Sequence, residues 1–253
     1  MNIIVCLKQS PSDDLIKFDS NANIIRENIK LVNNVYDEYA LENALILKDK
    51  YGFKVTAISM GPKEYEDVLR YAISKGTDDA YLITDAELKG SDAFITAYVL
   101  SKFIEKITQK KDFAVFAGLK SQDGETAIVP SEISENLNIP AVLSATCVDF
   151  KDNNLIVKSE LNSRMILKVS LPCCISFNIS KLKKRVTSIK NKLKSKSATI
   201  PKISLKEIGI SLNGFKDSPT KVIDLKEIKP PGERSFKTLD LNNMREIEKI
   251  IYE

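Results

Sequence analysis

The stretch Gly118-Leu119-Lys120-Ser121-Gln122-Asp123-Gly124-Glu125-Thr126 holds the residue types best suited to gripping an anion. An apolar run, Asp112 to Ala117, leads into it, and a helical pattern from Glu125 to Leu137 leads away. Gly118 and Gly124 let the backbone turn tightly and approach another molecule closely. The first amides of a helix opening at Glu125, around Thr126 and Ala127, have no partner in their own helix and carry partial positive charge. Together with the Thr126 hydroxyl they suit a phosphate or pyrophosphate. The spacing is neither GxGxxG nor a Walker loop, and a plain strand–loop–helix turn capped by Asp123 accounts for the same residues.

Three further places join it. Asn34 precedes a helical pattern and reads equally as an N-cap. Lys8-Gln9 ends the first strand, and Ser59-Met60-Gly61-Pro62 ends another. In an open parallel sheet a ligand lies beyond the carboxyl ends of the strands, so these places converge on one crevice. The chemistry there is holding, not proton transfer. The chain has no histidine, which removes Ser-His-Asp and Cys-His catalysis and His-containing zinc sites. Cys6, Cys147, Cys173 and Cys174 form no CxxC pair, so neither a catalytic nor a metal-ligating residue is assigned. The four are expected as reduced, mostly buried thiols.

The elements that position these residues alternate in type over the first 145 or so positions. Strands are expected at Asn2 to Leu7, Phe53 to Met60, Asp79 to Thr84 and Asp112 to Ala117. Helices are expected at Tyr36 to Tyr51, Lys63 to Lys75, Ser91 to Thr108 (capped by Ser91) and Glu125 to Leu137. This order gives an α/β fold, a mostly parallel, Rossmann-like sheet with helices on both faces. Beyond Ala141 short strands separated by polar turns form an edge β-meander. The tail from Ile200 to Ser235, centred on Pro230-Pro231-Gly232, reads as an extended C-terminal arm ahead of a last helix at about Leu241 to Ile251. The domain reading is 1–200 for the α/β nucleotide-binding domain, with the meander at about 141–178 and a basic segment at about 178–197. The remainder, 201–253, is an arm that lies on another chain.

The net charge is +4, unevenly spread. No Asp or Glu occurs from Leu161 to Lys206, while Lys181, Lys183, Lys184, Arg185, Lys190, Lys192, Lys194 and Lys196 crowd into it. Such a block suits an anionic partner or a solvated face. The aromatic residues that stack on nucleic acid are missing around it, so no nucleic acid is expected. No apolar run approaches the ~18 residues of a membrane span. Met1 to Leu7 lacks the basic start of a signal peptide, and a cytoplasmic protein is expected.

Taken in order, Lys8-Gln9, Asn34 to Ala44, Ser59 to Pro62, Ala72 to Asp78, Gly118 to Thr126, Asn138-Ile139-Pro140 and Leu171-Pro172 resemble the beta-subunit family of electron-transfer flavoproteins. The resemblance covers most of the chain. It implies an electron-carrier subunit, not an enzyme by itself, paired with an alpha subunit that carries FAD. It implies AMP, or the ADP part of a second FAD, held by Cys6, Asn34, Ile58, Asp123, Gly124, Thr126, Ala127, Ile128 and Val129, with Lys8 and Glu125 beside them. Asp123-Gly124-Glu125-Thr126 looks like the electron-bifurcating branch, in which NADH is the hydride donor. In the basic segment Arg185, Ile189, Asn191, Leu193 and Lys194 align with the loop that recognises acyl-CoA dehydrogenases. Val35, Glu125, Ile128, Lys184 and Val186 depart from the family pattern. Read from the residues alone, a stand-alone ATP-binding α/β protein, of stress-sensor or ATP-pyrophosphatase type with Lys8 and Ser121 on the phosphates, remains the other reading.

Overall fold

The computed structural model describes residues 1–12, 17–18, 24–25, 31–109, 111–161, 163–212 and 218–220. The expected last helix, and the arm beyond Thr220, lie outside these residues. Met1–Lys221 forms one compact unit.

The chain opens with β1 (Asn2–Cys6) and four short strands, β2 (Gln9–Pro11), β3 (Lys17–Phe18), β4 (Ile24–Ile25) and β5 (Leu31–Asn33). It continues through α1 (Val35–Tyr51), β6 (Lys54–Met60), α2 (Glu66–Lys75), β7 (Asp79–Ile83), α3 (Ala93–Thr108), β8 (Phe113–Gly118) and α4 (Val129–Leu137). The second half holds β9 (Ala141–Lys151), β10 (Asn154–Glu160), β11 (Arg164–Ser170), β12 (Cys173–Phe177), α5 (Ile189–Ser197), β13 (Lys202–Ile203) and α6 (Leu205–Ile208).

Nine strands form one sheet in the order β11-β10-β9-β12-β8-β1-β6-β7-β13. From β9 to β13 every neighbouring pair is parallel, and β10 and β11 add an antiparallel hairpin at the edge. The α/β fold with its edge meander is therefore as expected. The central strands read as continuous apolar runs because both faces are covered. Ile3, Val5, Leu7 and Phe116 pack with Leu41, Leu45, Val68 and Leu69 on the α1–α2 side. Ile4, Cys6, Val115 and Ile58 pack with Ile95, Val99, Phe103 and Ile133 on the α3–α4 side. Alternation places the adjacent cysteines apart, Cys173 in the first core and Cys174 in the second. All four cysteines are free, and only Cys147 is exposed.

Three local readings differ from expectation. Helix α4 begins at Val129, not Glu125. Pro130 explains it: a proline fits the first turn of a helix, but a helix from Glu125 would need its missing N–H to bond the Thr126 carbonyl. Helix α3 is capped by Asp92, whose Oδ1 accepts from Ile95 N at 3.0 Å. Ser91 turns its hydroxyl back to the Leu88 carbonyl. Lastly, Lys202–Ile203 joins the sheet beside β7, and Ser204 and Glu207 form a reciprocal capping box that starts α6. The described start of the expected arm thus lies on the sheet edge with Ile200, Leu205 and Leu212 buried.

Candidate functional site

The strand order turns back at β1: α1 carries the chain to β6 on one side, while β8 lies on the other. That topological switch is where an open α/β sheet leaves a crevice. The loop after β1 holds Leu7 and Lys8, and the loop after β8 is 119–128. They meet at the N-terminus of α1.

Asp37, in the first turn of α1, ties the three elements together. Its Oδ2 accepts from Lys8 N at 2.7 Å and its Oδ1 accepts from Gly118 N at 3.0 Å. The residue is 7% exposed. Burial pushes its carboxyl up to about 7, against the pull of the two backbone N–H groups, the Asn34 side chain and Lys8. Gly118 must be glycine here, because α1 leaves no room for a Cβ.

The loop is fastened at three more points. Asn34 Nδ2 donates to the Lys120 carbonyl at 2.9 Å, and Val35 N donates to Gln122 Oε1 at 3.1 Å. Asn34 thus occupies the N-cap position without capping by its side chain, and Gln122 takes that duty from the loop. Lys8 Nζ contacts both Asp123 oxygens at 2.7 Å. Burial works to raise the Asp123 carboxyl, yet Lys8 prevails by charge and hydrogen bond and holds it below the usual range.

Past Gly124 the backbone is strained. Glu125 and Ala127 sit at φ 48° and 55°, the left-handed region that non-glycine residues rarely enter. Ile128 returns to the right-handed region. Backbone that alternates in hand turns neighbouring N–H groups toward one side, a shape that binds anions. The amides at Thr126 and Ala127, expected to meet an anion, therefore belong to a strained loop and not to a helix start. Gly124, Glu125, Thr126 and Ile128 line its exposed rim, and Glu125 is paired with Lys120 at 2.8 Å.

Two expected contacts are placed beneath the crevice. Cys6 and Ile58 are register partners on β1 and β6, both buried in the α3–α4 core. The Ile58 carbonyl already accepts from Leu7 N, and burial pushes the Cys6 thiol far above its ordinary range. They form its floor. Among the described residues, four buried polar atoms near the carboxyl ends of β1 and β6 lack a hydrogen-bond partner: Gln9 Oε1, Ser10 Oγ, Asn34 Oδ1 and Ser59 Oγ. Buried polar atoms are normally satisfied, so Asn34 Oδ1 is left able to accept a hydrogen bond and Ser59 Oγ to donate or accept one. Asp37, Gln122 and Ser59 lie within the motifs read from sequence but were not assigned there as site residues. The one signal for Asp37 was an acid in the first helical turn directly beside a strand end.

The basic segment divides in two. Arg185 is clamped on α1: its N and Nε each donate to Glu42 at 3.0 Å, and its Nη2 lies 2.9 Å from Asp49. Lys184 pairs with Glu38, and Lys75 Nζ donates to the Arg185 carbonyl. Asn191 N donates to Ser188 Oγ, the cap of α5. Facing outward instead are Val186, Ile189 and Leu193, 93%, 82% and 63% exposed, with Lys194 among them.

Fold and crevice together define a class: a parallel α/β domain whose sheet order turns back at a switch point between β1 and β8. Residues 22–208 match the model of the electron transfer flavoprotein domain. Among relatives, the chain is 37% identical to an electron transfer flavoprotein subunit beta of Thermoanaerobacterium thermosaccharolyticum, over 88% of this chain and 86% of the relative. It is 32% identical to the caffeyl-CoA reductase-Etf complex subunit CarD of Acetobacterium woodii, over 92% and 89%. It is also 32% identical to the acryloyl-CoA reductase electron transfer subunit gamma of Anaerotignum propionicum, over 91% and 89%. The chain belongs to the electron transfer flavoprotein family, among its beta subunits. Among the described residues no helix is long and apolar enough to cross a membrane.

Proposed function

We propose that the chain holds an adenine nucleotide in the β1–β8 crevice and works as one half of a heterodimer whose alpha subunit carries the electron-transferring FAD. The observation that carries this is the loop after β8, strained and anion-suited at Glu125–Ala127 and tied through Lys120 to Asn34, whose Oδ1 has no hydrogen-bond partner among the described residues. A phosphate or pyrophosphate takes the amides around Thr126, with Gly124, Ala127, Ile128 and Val129 shaping the loop. The nucleobase lies toward Asn34 above Cys6 and Ile58. Lys8 and Asp123 brace each other and the two walls.

The ligand is AMP or the ADP part of a second FAD. A second FAD would bring flavin redox chemistry and NADH oxidation to the pair; this chain's residues bind, orient and shield it. A phosphate held by backbone amides agrees with the missing histidine, since holding a cofactor needs no general base. Val186, Ile189 and Leu193 with the lysines around them form the face offered to an acyl-CoA dehydrogenase-type partner, and two relatives are named for CoA-thioester reductases. Arg185 and Asn191 hold that face in place.

Copurification with the alpha subunit and extraction of the cofactors tests the reading. One FAD with one AMP, or two FAD, per heterodimer is expected; the second result favours bifurcation. A heterodimer holding only the alpha-subunit FAD would overturn it.

A further inference from the structure

Asp37 is a buried ionisable group to which the proposed function gives no task. Asp37 touches no part of the proposed nucleotide position, yet it is the one side chain that binds both strand ends of the crevice. Its two oxygens accept from Lys8 N on the β1 side and Gly118 N on the β8 side, and its backbone belongs to α1, whose cap residue Asn34 faces the ligand. We propose that Asp37 is the positioning residue of this site, a proton-sensitive latch that sets the gap between the β1 and β8 ends and with it the grip on the nucleotide. This rests on the adenylate reading of the crevice.

The geometry asks for an ionised carboxylate. Each oxygen faces a backbone N–H, and a carboxylate offers only acceptors. Adding a proton makes one oxygen a hydroxyl whose hydrogen competes with the N–H it faces, and the latch weakens on that side. The groups around Asp37 leave it alone to respond near neutrality. From β1, Lys8 is held by Asp123 and the Cys6 thiol stays protonated. From β8 only the Gly118 backbone faces it. From the loop, Lys120 is engaged by Glu125; on its own helix, Glu38 is engaged by Lys184. Burial sets the Asp37 carboxyl at about 7.

The sign for folding is opposite to the sign for binding. The folded-state value is raised, so the contribution of Asp37 to stability is full in acid and is lost as pH rises through about 7. The latch that grips nucleotide closes over the same rise. Nucleotide lost in acid through Asp37 is therefore lost from a folded protein.

The test measures binding to the heterodimer, freed of its own adenylate, as a function of pH. The probe is ADP-ribose, which carries the ADP part of FAD and whose pyrophosphate diester has no ionisation near neutrality. Affinity is expected to weaken about tenfold or more between about pH 8 and about pH 5.5, as the competent, ionised fraction falls. Asp37→Asn sets an amide N–H against a backbone N–H, and it should bind weakly with no such pH profile. The wild-type profile alone decides the matter if that variant does not fold. An affinity independent of pH, or the same profile in Asp37→Asn, overturns the latch while leaving the adenylate site standing. Absence of binding at every pH counts against the adenylate site itself.

Discussion

Gly118 shows what a single atom is worth at this junction. A Cβ there would lie 2.3 Å from Asp37 Oδ1, 2.7 Å from Tyr36 Cβ and 2.8 Å from Asp37 N. The last two belong to the start of a helix and cannot swing aside. Gly118→Ala must part β8 from α1 or break the Gly118 N–H bond to Asp37, and overpacking of this kind costs roughly 1–3 kcal/mol. Urea unfolding should show a loss of about 2 kcal/mol with an unchanged slope. A loss below about 0.5 kcal/mol, the size of an ordinary surface change, would mean the two ends are not tightly joined. Sequence marked Gly118 as a place of close backbone approach. It could not name the neighbour, since Asp37 lies 81 positions away along the chain. In the same way Asn34 was legible as a cap position, but not that its side chain reaches across to Lys120.

Helix α5 shows how an element without a core face is held. Of its nine residues only Ser195 is buried, and a helix this short is marginal in water. Polar clamps replace a buried stripe. Arg70 donates to the Ser195, Lys196 and Ala198 carbonyls at the C-terminal end, while Arg185 and Lys184 anchor the approach on Glu42, Asp49 and Glu38. Ile189 and Leu193, four positions apart, are left on one outward face. Leu193→Glu should leave the nucleotide content and unfolding midpoint of the heterodimer unchanged. It should raise the KM for the proposed acyl-CoA dehydrogenase-type partner about tenfold, the scale of an apolar anchor at an interface. An unchanged KM would remove α5 from the docking surface. Sequence gave the charge of this segment but not its division into tethers and face, because that division depends on which acids of α1 lie opposite. The strands and helices of the sheet were legible from their periodicity. The late start of α4 is written in Pro130, whose missing N–H rules out a regular helix from Glu125. Strand β13 was not: two residues carry no period, and only the open edge of β7 makes them a strand.

At the scale of the molecule, one helix serves both proposed tasks. The N-terminus of α1 closes the crevice through Asn34, Val35 and Asp37, and the next turns, through Glu38, Glu42 and Asp49, seat the basic segment. The core on the α1–α2 face of the sheet fixes α1 against β1 and β8, so the proposed nucleotide site and partner face share one rigid mount. The overall charge of +4 says little about this; the acidic stripe of α1 under a segment rich in lysine says more. The central claim is that an adenine nucleotide sits between the ends of β1 and β8. Hydrogen exchange of the full heterodimer, stripped of its adenylate and measured with and without added AMP, reads this directly. Slowed exchange should centre on residues 118–129 and extend to Lys8 and Asn34. Bound AMP with that loop unprotected, or protection centred at the opposite end of the sheet around Lys54 and Asp78, would contradict the account.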